Sequence, residues 1–246
     1  MGRDTKIWAH RGASAYAPEN TLAAFALALE QKADGIELDV HFSRDRQVVV
    51  THDDNVVRVT GYNGNVCDLT LAELKKLDFS NKMAAYVGES IPTLDEVFAL
   101  MKSSGLWVNV ELKTNHDMPN GLEEACQALV EKHGMENRVI YSSFNHMSLK
   151  RMGEIAPHMP LGILYSNKLC NDWEYAKAIG ASAIHPSYKS LNEPDFILAC
   201  RASGICCNAW TVDETADIRK LLALDVDAII TNKPDLAVSL RDEHTL

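Results

Sequence analysis

Two hydrophobic rhythms alternate along the chain. Short apolar runs of strand type recur at KIWAH (6–10), GIELDVHF (35–42), WVNVELK (107–113), RVIYSS (138–143), LGILYS (161–166), ASAIHP (181–186), GICCNAW (204–210) and DAIITN (227–232). Between them lie stretches with helical spacing, such as DWEYAKAIGA, EPDFILACRASG and DETADIRKLLAL. From residue 107 onward the runs begin at intervals of 31, 23, 20, 23 and 23 residues. Each interval has room for one crossover helix, so the strands are expected to be parallel. Eight such units predict an α/β fold of the closed (β/α)8 TIM-barrel type. An open doubly wound sheet fits less well, because neither GxGxxG nor GxxxxGK[ST] occurs.

One interval departs from this rhythm. Ile36 and Trp107 are 71 residues apart, an excess of roughly 40 over an ordinary strand-to-strand unit. An insertion is therefore expected after strand 2, from about Asp53 to Ser90, with a short helix at 71–77. Loops that follow barrel strands build the catalytic face, so the insertion is expected to cover the mouth of a single domain spanning 1–246. The first helix is expected to open at Pro18-Glu19-Asn20-Thr21, with Asn20 as N-cap and Leu22, Phe25, Ala26 and Leu29 as its apolar stripe.

Strand alternation also locates the chemistry. In the second run Ile36, Leu38, Val40 and Phe42 share one face, while Glu37, Asp39 and His41 share the other. Two unpaired anions on a buried face would cost several kcal/mol, so they need a cation or must take up protons. Asn109, Glu111 and Lys113 alternate in the same way in the third run. His10 and Arg11 close the first strand, and a polar turn followed by VVVT brings His52 back to the same end. Three carboxylates (Glu37, Asp39, Glu111) form an oxygen-rich set suited to Mg²⁺ or Ca²⁺. With a metal present, Arg11 and Lys113 are free to hold phosphate oxygens. The plain alternative is a set of structural salt bridges. Phe144 and Trp210 end strands four and seven and are expected to wall an apolar part of a substrate. His41, although in phase with Asp39, is expected to fall beyond the end of its strand and is read as structural, as is His185; the segment TNKPD (231–235) is read as a strand end and helix start without chemistry.

Composition narrows the class. Hydrophobic residues make up 46% of the 246, with no apolar run of membrane-spanning length. The formal net charge is −10, without a basic run, which argues against nucleic-acid binding. Any anionic substrate is held by local charge, and no stable membrane association is expected. The start, MGRDTKIWAHRG, lacks the apolar segment of a secretory signal. The six scattered cysteines have no metal-ligand spacing, and they are read as reduced thiols in a cytoplasmic protein.

Taken in order, His10-Arg11-Gly12, Pro18-Glu19-Asn20-Thr21, Glu37-x-Asp39-Val40, His52-Asp53, Glu111-x-Lys113 and Trp210-Thr211-Val212 resemble the motifs of the glycerophosphodiester phosphodiesterases over nearly the whole chain. The resemblance implies a (β/α)8 barrel and a divalent ion on Glu37, Asp39 and Glu111. It also implies a catalytic pair, His10 and His52, and hydrolysis of glycerophosphodiesters through attack by the glycerol 2-hydroxyl. The departures fall in the insertion, at Val56-Val57-Arg58-Val59-Thr60 and Asp78-Phe79-Ser80, where headgroup preference is read. A lysophospholipase D-like or phospholipase-like enzyme on the same barrel is an alternative. A non-catalytic barrel that binds phosphorylated ligands is another.

Overall fold

The structure is a computed structural model, and it describes residues 5–114, 120–167, 169, 171–191 and 194–245. Nine strands form one sheet: β1 (Lys6–His10), β2 (Gly35–Phe42), β3 (Val48–Val50), β4 (Trp107–Leu112), β5 (Val139–Ser143), β6 (Leu161–Tyr165), β7 (Ala183–Pro186), β8 (Cys206–Ala209) and β9 (Ala228–Thr231). Their order is β1-β9-β8-β7-β6-β5-β4-β2-β3, and an additional β1–β2 pairing closes the ring. All pairings are parallel except β2–β3. The molecule is therefore an eight-stranded parallel barrel, as the spacing of the apolar runs predicts, with β3 added as a hairpin arm.

Helices α1 (Leu22–Glu30), α2 (Leu94–Met101), α3 (Leu122–His133), α4 (His146–Ile155), α5 (Asp172–Ile179), α6 (Pro194–Ala202), α7 (Thr215–Ala223) and α8 (Pro234–Thr245) surround it. The main core lies between barrel and helices, where Ile7, Ile36, Leu38, Val40 and Val110 turn outward onto Phe25, Phe98 and their neighbours. The other faces of the strands fill the barrel with Trp8, Ile140, Ala183, Ala228 and Ile230.

The start of α1 differs from expectation. Thr21, not Asn20, is the N-cap, and its Oγ1 accepts the Ala24 N–H at 3.2 Å. Asn20 is held instead at φ 58°, and its amide donates to Asp39 Oδ2 at 2.8 Å. The buried stripe is also shifted, to Ala24, Phe25 and Ala28. Leu29 is 40% exposed because it lies one residue past that stripe.

The 53–90 segment carries short helical turns, and its Val56, Val59, Val66, Leu74 and Phe79 pack with Val49 and Ile91 on either side of it into a small separate core. Its helix spans Leu71–Leu74 rather than 71–77. Beyond Leu74 the hydrogen bonds tighten to three-residue turns, from Lys76 N–H to Glu73 and from Leu77 N–H to Leu74. β2 runs to Phe42, so His41 belongs to the strand rather than lying beyond its end. β1 pairs only as far as His10 with Glu37, which leaves the upper part of β2 free for β3, paired Val40 with Val50 and His41 with Val49. That antiparallel return turns the chain back toward the barrel mouth.

The loop after β1 has little conformational latitude. Gly12 sits at φ 81°, and a Cβ built there would meet the Ala24 backbone at 2.7 Å. Gly12→Ala is therefore expected to cost about 2–4 kcal/mol, from the left-handed backbone and the clash together. Urea unfolding measures it, and a stability within experimental error of the parent would contradict the reading.

Candidate active site

Parallel register places the acids together. His10 pairs with Glu37 across β1 and β2, and Asp39 with Glu111 across β2 and β4. Inward alternation then points these side chains into one space. Carboxylate oxygens of Glu37, Asp39 and Glu111, all buried, lie within 4.8 Å of one another.

The two cations stand among these acids. Lys113 Nζ is 2.9 Å from Asp39 Oδ1 and 2.5 Å from Glu111 Oε1. Arg11 Nε is 3.5 Å from Asp39 Oδ2, and its Nη1 donates to Glu19 Oε1 at 2.9 Å. Arg11 itself adopts φ 57°, which turns its backbone N–H onto Glu37 Oε2 at 3.0 Å.

Charge is unevenly distributed over the three carboxyls. Burial, reinforced by Asp39 and Glu111, pushes Glu37 well above the ordinary carboxylate range. Burial, with Asp39 beside it, pushes Glu111 up to about 7. Asp39 goes the other way: burial opposes its charge, but Lys113 and then Arg11 hold it well below its usual value. Two cations are thus enough for one buried anion but not for three. A divalent ion fits this donor set, because hard oxygen ligands that otherwise retain protons are the groups it would ionise.

His10 is mounted differently from the acids. Its Nδ1 is 2.7 Å from Asn232 Oδ1, and Asn232 Nδ2 donates to Asp213 Oδ2 at 2.5 Å. Asp213 also accepts the Asn232 N–H and the Thr231 hydroxyl. A carboxylate only accepts, so the Asn232 amide nitrogen faces Asp213 and its oxygen faces His10. His10 therefore carries its proton on Nδ1. That leaves Nε2 as a lone pair, 3.9 Å from Glu37 Oε2. Burial, followed by the adjacent Arg11 charge, lowers His10 to about 4, so the ring is neutral near pH 7.

His52 sits on a bend past β3, a third exposed. Its Nδ1 meets Asp53 Oδ1 at 2.7 Å, which leaves Nε2 as the atom free to meet a substrate. Against the burial that would raise it, bonds from Arg58 and His52 hold Asp53 below the usual aspartate range. Arg58 also pairs with Glu19 at 2.7 and 2.8 Å, linking the insertion to the loop that carries Arg11's partner.

A cavity of about 90 Å³ is lined by His10, Arg11, Glu37, His52, Asn109, Glu111, Phe144 and Trp210, among others. Phe144 and Trp210 meet edge to face, with centroids 5.7 Å apart. Trp210 Nε1 donates to the carbonyl of His185, whose ring is fully buried against Asn208. Asp39 and Lys113 stand behind this wall rather than on it. Arg11 lines the cavity, while Lys113 pairs with Asp39 and Glu111.

Several site residues escaped the pattern argument. Asn232, in the TNKPD segment read as free of chemistry, orients His10. Asn20, read as a helix cap, bonds Asp39. Asp213, Glu19 and Arg58 had no strand phase to mark them, although Asp53 was detectable as the acid next to His52. His185 is structural, as its sequence context suggests. Cys126, Cys200 and Cys207 are buried thiols, and Cys170 lies outside the described residues.

Fold and site together define a (β/α)8 barrel with a carboxylate cluster and two imidazoles at the carboxyl ends of the strands, the end where barrel enzymes carry their active sites. The sequence pattern of the "Glycerophosphoryl diester phosphodiesterase family" matches residues 10–236. The glycerophosphodiester phosphodiesterase of Caldanaerobacter subterraneus subsp. tengcongensis is 41% identical over 237 residues, 96% of this chain and 97% of that one. That of Bacillus altitudinis is 38% identical over 242 residues, 97% and 99% of the two chains. An Oleispira antarctica phosphodiesterase, solved in complex with the product sn-glycerol-3-phosphate, superposes with a TM-score of 0.87 at 31% identity over 96% of each chain. The chain belongs to the glycerophosphoryl diester phosphodiesterase family, and it is an enzyme of glycerophosphodiester hydrolysis.

The Asn232 contact has a spectroscopic consequence. In metal-free protein at pH 6–7, nitrogen chemical shifts of the His10 ring are expected to show one neutral tautomer, protonated at Nδ1 and charging only as the pH falls toward 4. Asn232→Leu removes the acceptor and should yield a mixture of tautomers. A mixture already in the parent would overturn the assignment.

Proposed function

We propose that the enzyme cleaves small sn-glycero-3-phosphodiesters, such as glycerophosphocholine and glycerophosphoethanolamine, to sn-glycerol 3-phosphate and an alcohol, using His10 as base and His52 as acid. The observation that carries this reading is the pair of imidazoles on one small cavity with Arg11 and the carboxylates. One ring presents a lone pair, and the other has an anionic partner behind it. A phosphodiester needs both kinds of group, a base behind the nucleophile and a proton source at the leaving oxygen.

In the first step His10 Nε2 takes the proton of the glycerol 2-hydroxyl, whose oxygen forms a bond to phosphorus. The bond to the alcohol oxygen breaks, and His52 Nε2 delivers a proton to that oxygen. A cyclic phosphate results, and water opens it as the two histidines exchange roles. Arg11 and Lys113 would stabilise the charge that the phosphoryl oxygens gain. Lys113 keeps Asp39 and Glu111 in register behind the wall. Glu37, Asp39 and Glu111 would hold a divalent cation, Mg²⁺ or Ca²⁺, which when bound supplies positive charge to the phosphate and lowers the pKa of the hydroxyl.

Phe144 and Trp210 offer an apolar wall to the carbon skeleton of the substrate. The 53–90 insertion, tied to the rim through Arg58 and Glu19, limits what enters, which favours a glycerol unit with a small headgroup over two acyl chains. A cytoplasmic location accords with the buried thiols Cys126, Cys200 and Cys207. A lysophospholipase D-like activity is the second reading, supported by half-exposed Phe144 and by Met147, which is 64% exposed at the start of α4. A substrate panel of glycerophosphocholine, glycerophosphoethanolamine, lysophosphatidylcholine and phosphatidylcholine vesicles decides between them. The first two should lead; equal rates on vesicles would refute the size limit.

Removing the metal should abolish turnover. EDTA is expected to lower the rate at least 10²-fold, with Mg²⁺ or Ca²⁺ restoring it, and Glu37→Gln should weaken metal affinity in calorimetric titration while leaving the fold intact. Full activity in EDTA, in protein shown by elemental analysis to be metal-free, would refute the ion's role.

The histidines are separated by leaving group. On glycerophosphocholine each alanine substitution should cost roughly 10²–10⁴ in rate. On the p-nitrophenyl ester of glycerol 3-phosphate the leaving oxygen needs little protonation. There the His52→Ala defect should nearly vanish, while the His10→Ala defect persists. The reverse pattern would exchange the roles, and loss from neither variant would exclude the mechanism.

A further inference from the structure

His41 is a buried imidazole outside the mechanism above, on the same face of β2 as Glu37 and Asp39 and only 7% exposed. Its Nε2 lies 3.1 Å from the backbone carbonyl of His52. A carbonyl only accepts, so Nε2 carries the proton and donates it. The other ring nitrogen, Nδ1, lies 3.3 Å from Asp54 Oδ1. The ring therefore spans the bend at 52–54, touching the peptide of His52 on one side and the side chain two residues later on the other.

The bend is held further along as well, where the Asp54 carbonyl accepts the Val66 N–H at 2.8 Å and Arg58 binds Asp53 at 2.6 Å, but these contacts fall beyond the His52 peptide, which the His41 ring meets directly. The regular pairing of β3 ends at Val50, and the Thr51 N–H reaches the Asp39 carbonyl at 3.0 Å. From there to Asp54 the backbone belongs to no helix or strand, and Asn55 forms an isolated bridge with Asn65. A proton donor on a bend is less precisely held than one on a strand, and a misplacement of about 1 Å can cost on the order of 10²-fold in rate. The Asp39 carbonyl fixes the chain before His52, and the His41 ring fixes it after. Both anchors belong to the strand that carries two of the carboxylates.

We infer that His41 is a positioning residue for His52, setting the direction of its Nε2 toward the leaving oxygen; this rests on the acid role given to His52 above. The consequence is selective. Loss of the His41 donor should harm the step that needs a proton at the leaving group and spare a reaction that does not.

The test uses the full chain with metal present. His41→Phe and His41→Leu both remove the donor, and whichever retains the parent's melting temperature within a few degrees is carried forward; His41→Gln keeps an N–H at similar reach. On glycerophosphocholine the donorless variant is expected to lose roughly 10–10²-fold in kcat with KM within about threefold. On the p-nitrophenyl ester the loss should shrink to less than about threefold, and His41→Gln should recover most of the activity. The donorless variant combined with His52→Ala should be no slower than His52→Ala alone. Equal losses on both substrates, or losses that multiply in the double variant, would overturn the inference. If His52→Ala itself shows no dependence on leaving group, the acid assignment falls. The double variant then decides for His41 alone, since multiplied losses would still separate it from His52.

Discussion

Three carboxyls share a buried pocket in which two cations are available, and much of the structure follows from that imbalance. Charge on an unpaired buried acid costs several kcal/mol. Asp39 alone is fully provided for, by Lys113, Arg11 and the Asn20 amide. Those three partners come from β4's end, the turn after β1 and the loop before α1, so one anion holds together three separate segments at the barrel mouth. Burial and the neighbouring acids raise Glu37 and Glu111 above the ordinary carboxylate range, so both hold a proton more tightly than Asp39. The cluster therefore couples the order of the loops to the charge state of the site.

The two imidazoles occupy contrasting mounts around that cluster. His10 ends a strand and is fixed through a chain of uncharged and charged acceptors, Asn232 and then Asp213, contributed from the far side of the ring closure. His52 lies on a bend and pairs directly with a carboxylate. A neutral amide orients a ring without inviting charge onto it, whereas an anion can accompany a cationic ring. Ring closure between β9 and β1 is accordingly not only a matter of fold: it brings Asn232 within reach of His10.

The barrel was legible from the sequence because its evidence is periodic. Inward alternation on β2 and β4 identified Glu37, Asp39 and Glu111, since a strand with one apolar face declares what its other face carries. Hidden in the sequence were contacts made by residues with no phase of their own. Asn20 looked like a cap because Asn commonly is one, but tertiary demand from Asp39 overrode local preference and moved the cap to Thr21. Asn232 lies 222 residues from its partner, in a segment whose local pattern predicts only the start of α8. His41 was placed past the strand because the hairpin arm, which extends β2 by pairing, cannot be inferred from β2 alone.

The small hydrophobic cluster inside the 53–90 segment makes that region nearly self-sufficient. Its packing is provided by Val56, Val59, Val66, Leu74 and Phe79, with Val49 contributed from the hairpin arm and Ile91 from just past the segment. Sequence there can drift, or a whole segment be exchanged between relatives, without repacking the layer between barrel and helices. The packing of this segment and that of the barrel beneath it are in this sense separate. The constraint on such exchange is a short list of side chains at the seam, chief among them Arg58, whose pairing with Glu19 and Asp53 must survive for a new rim to seat on the old barrel.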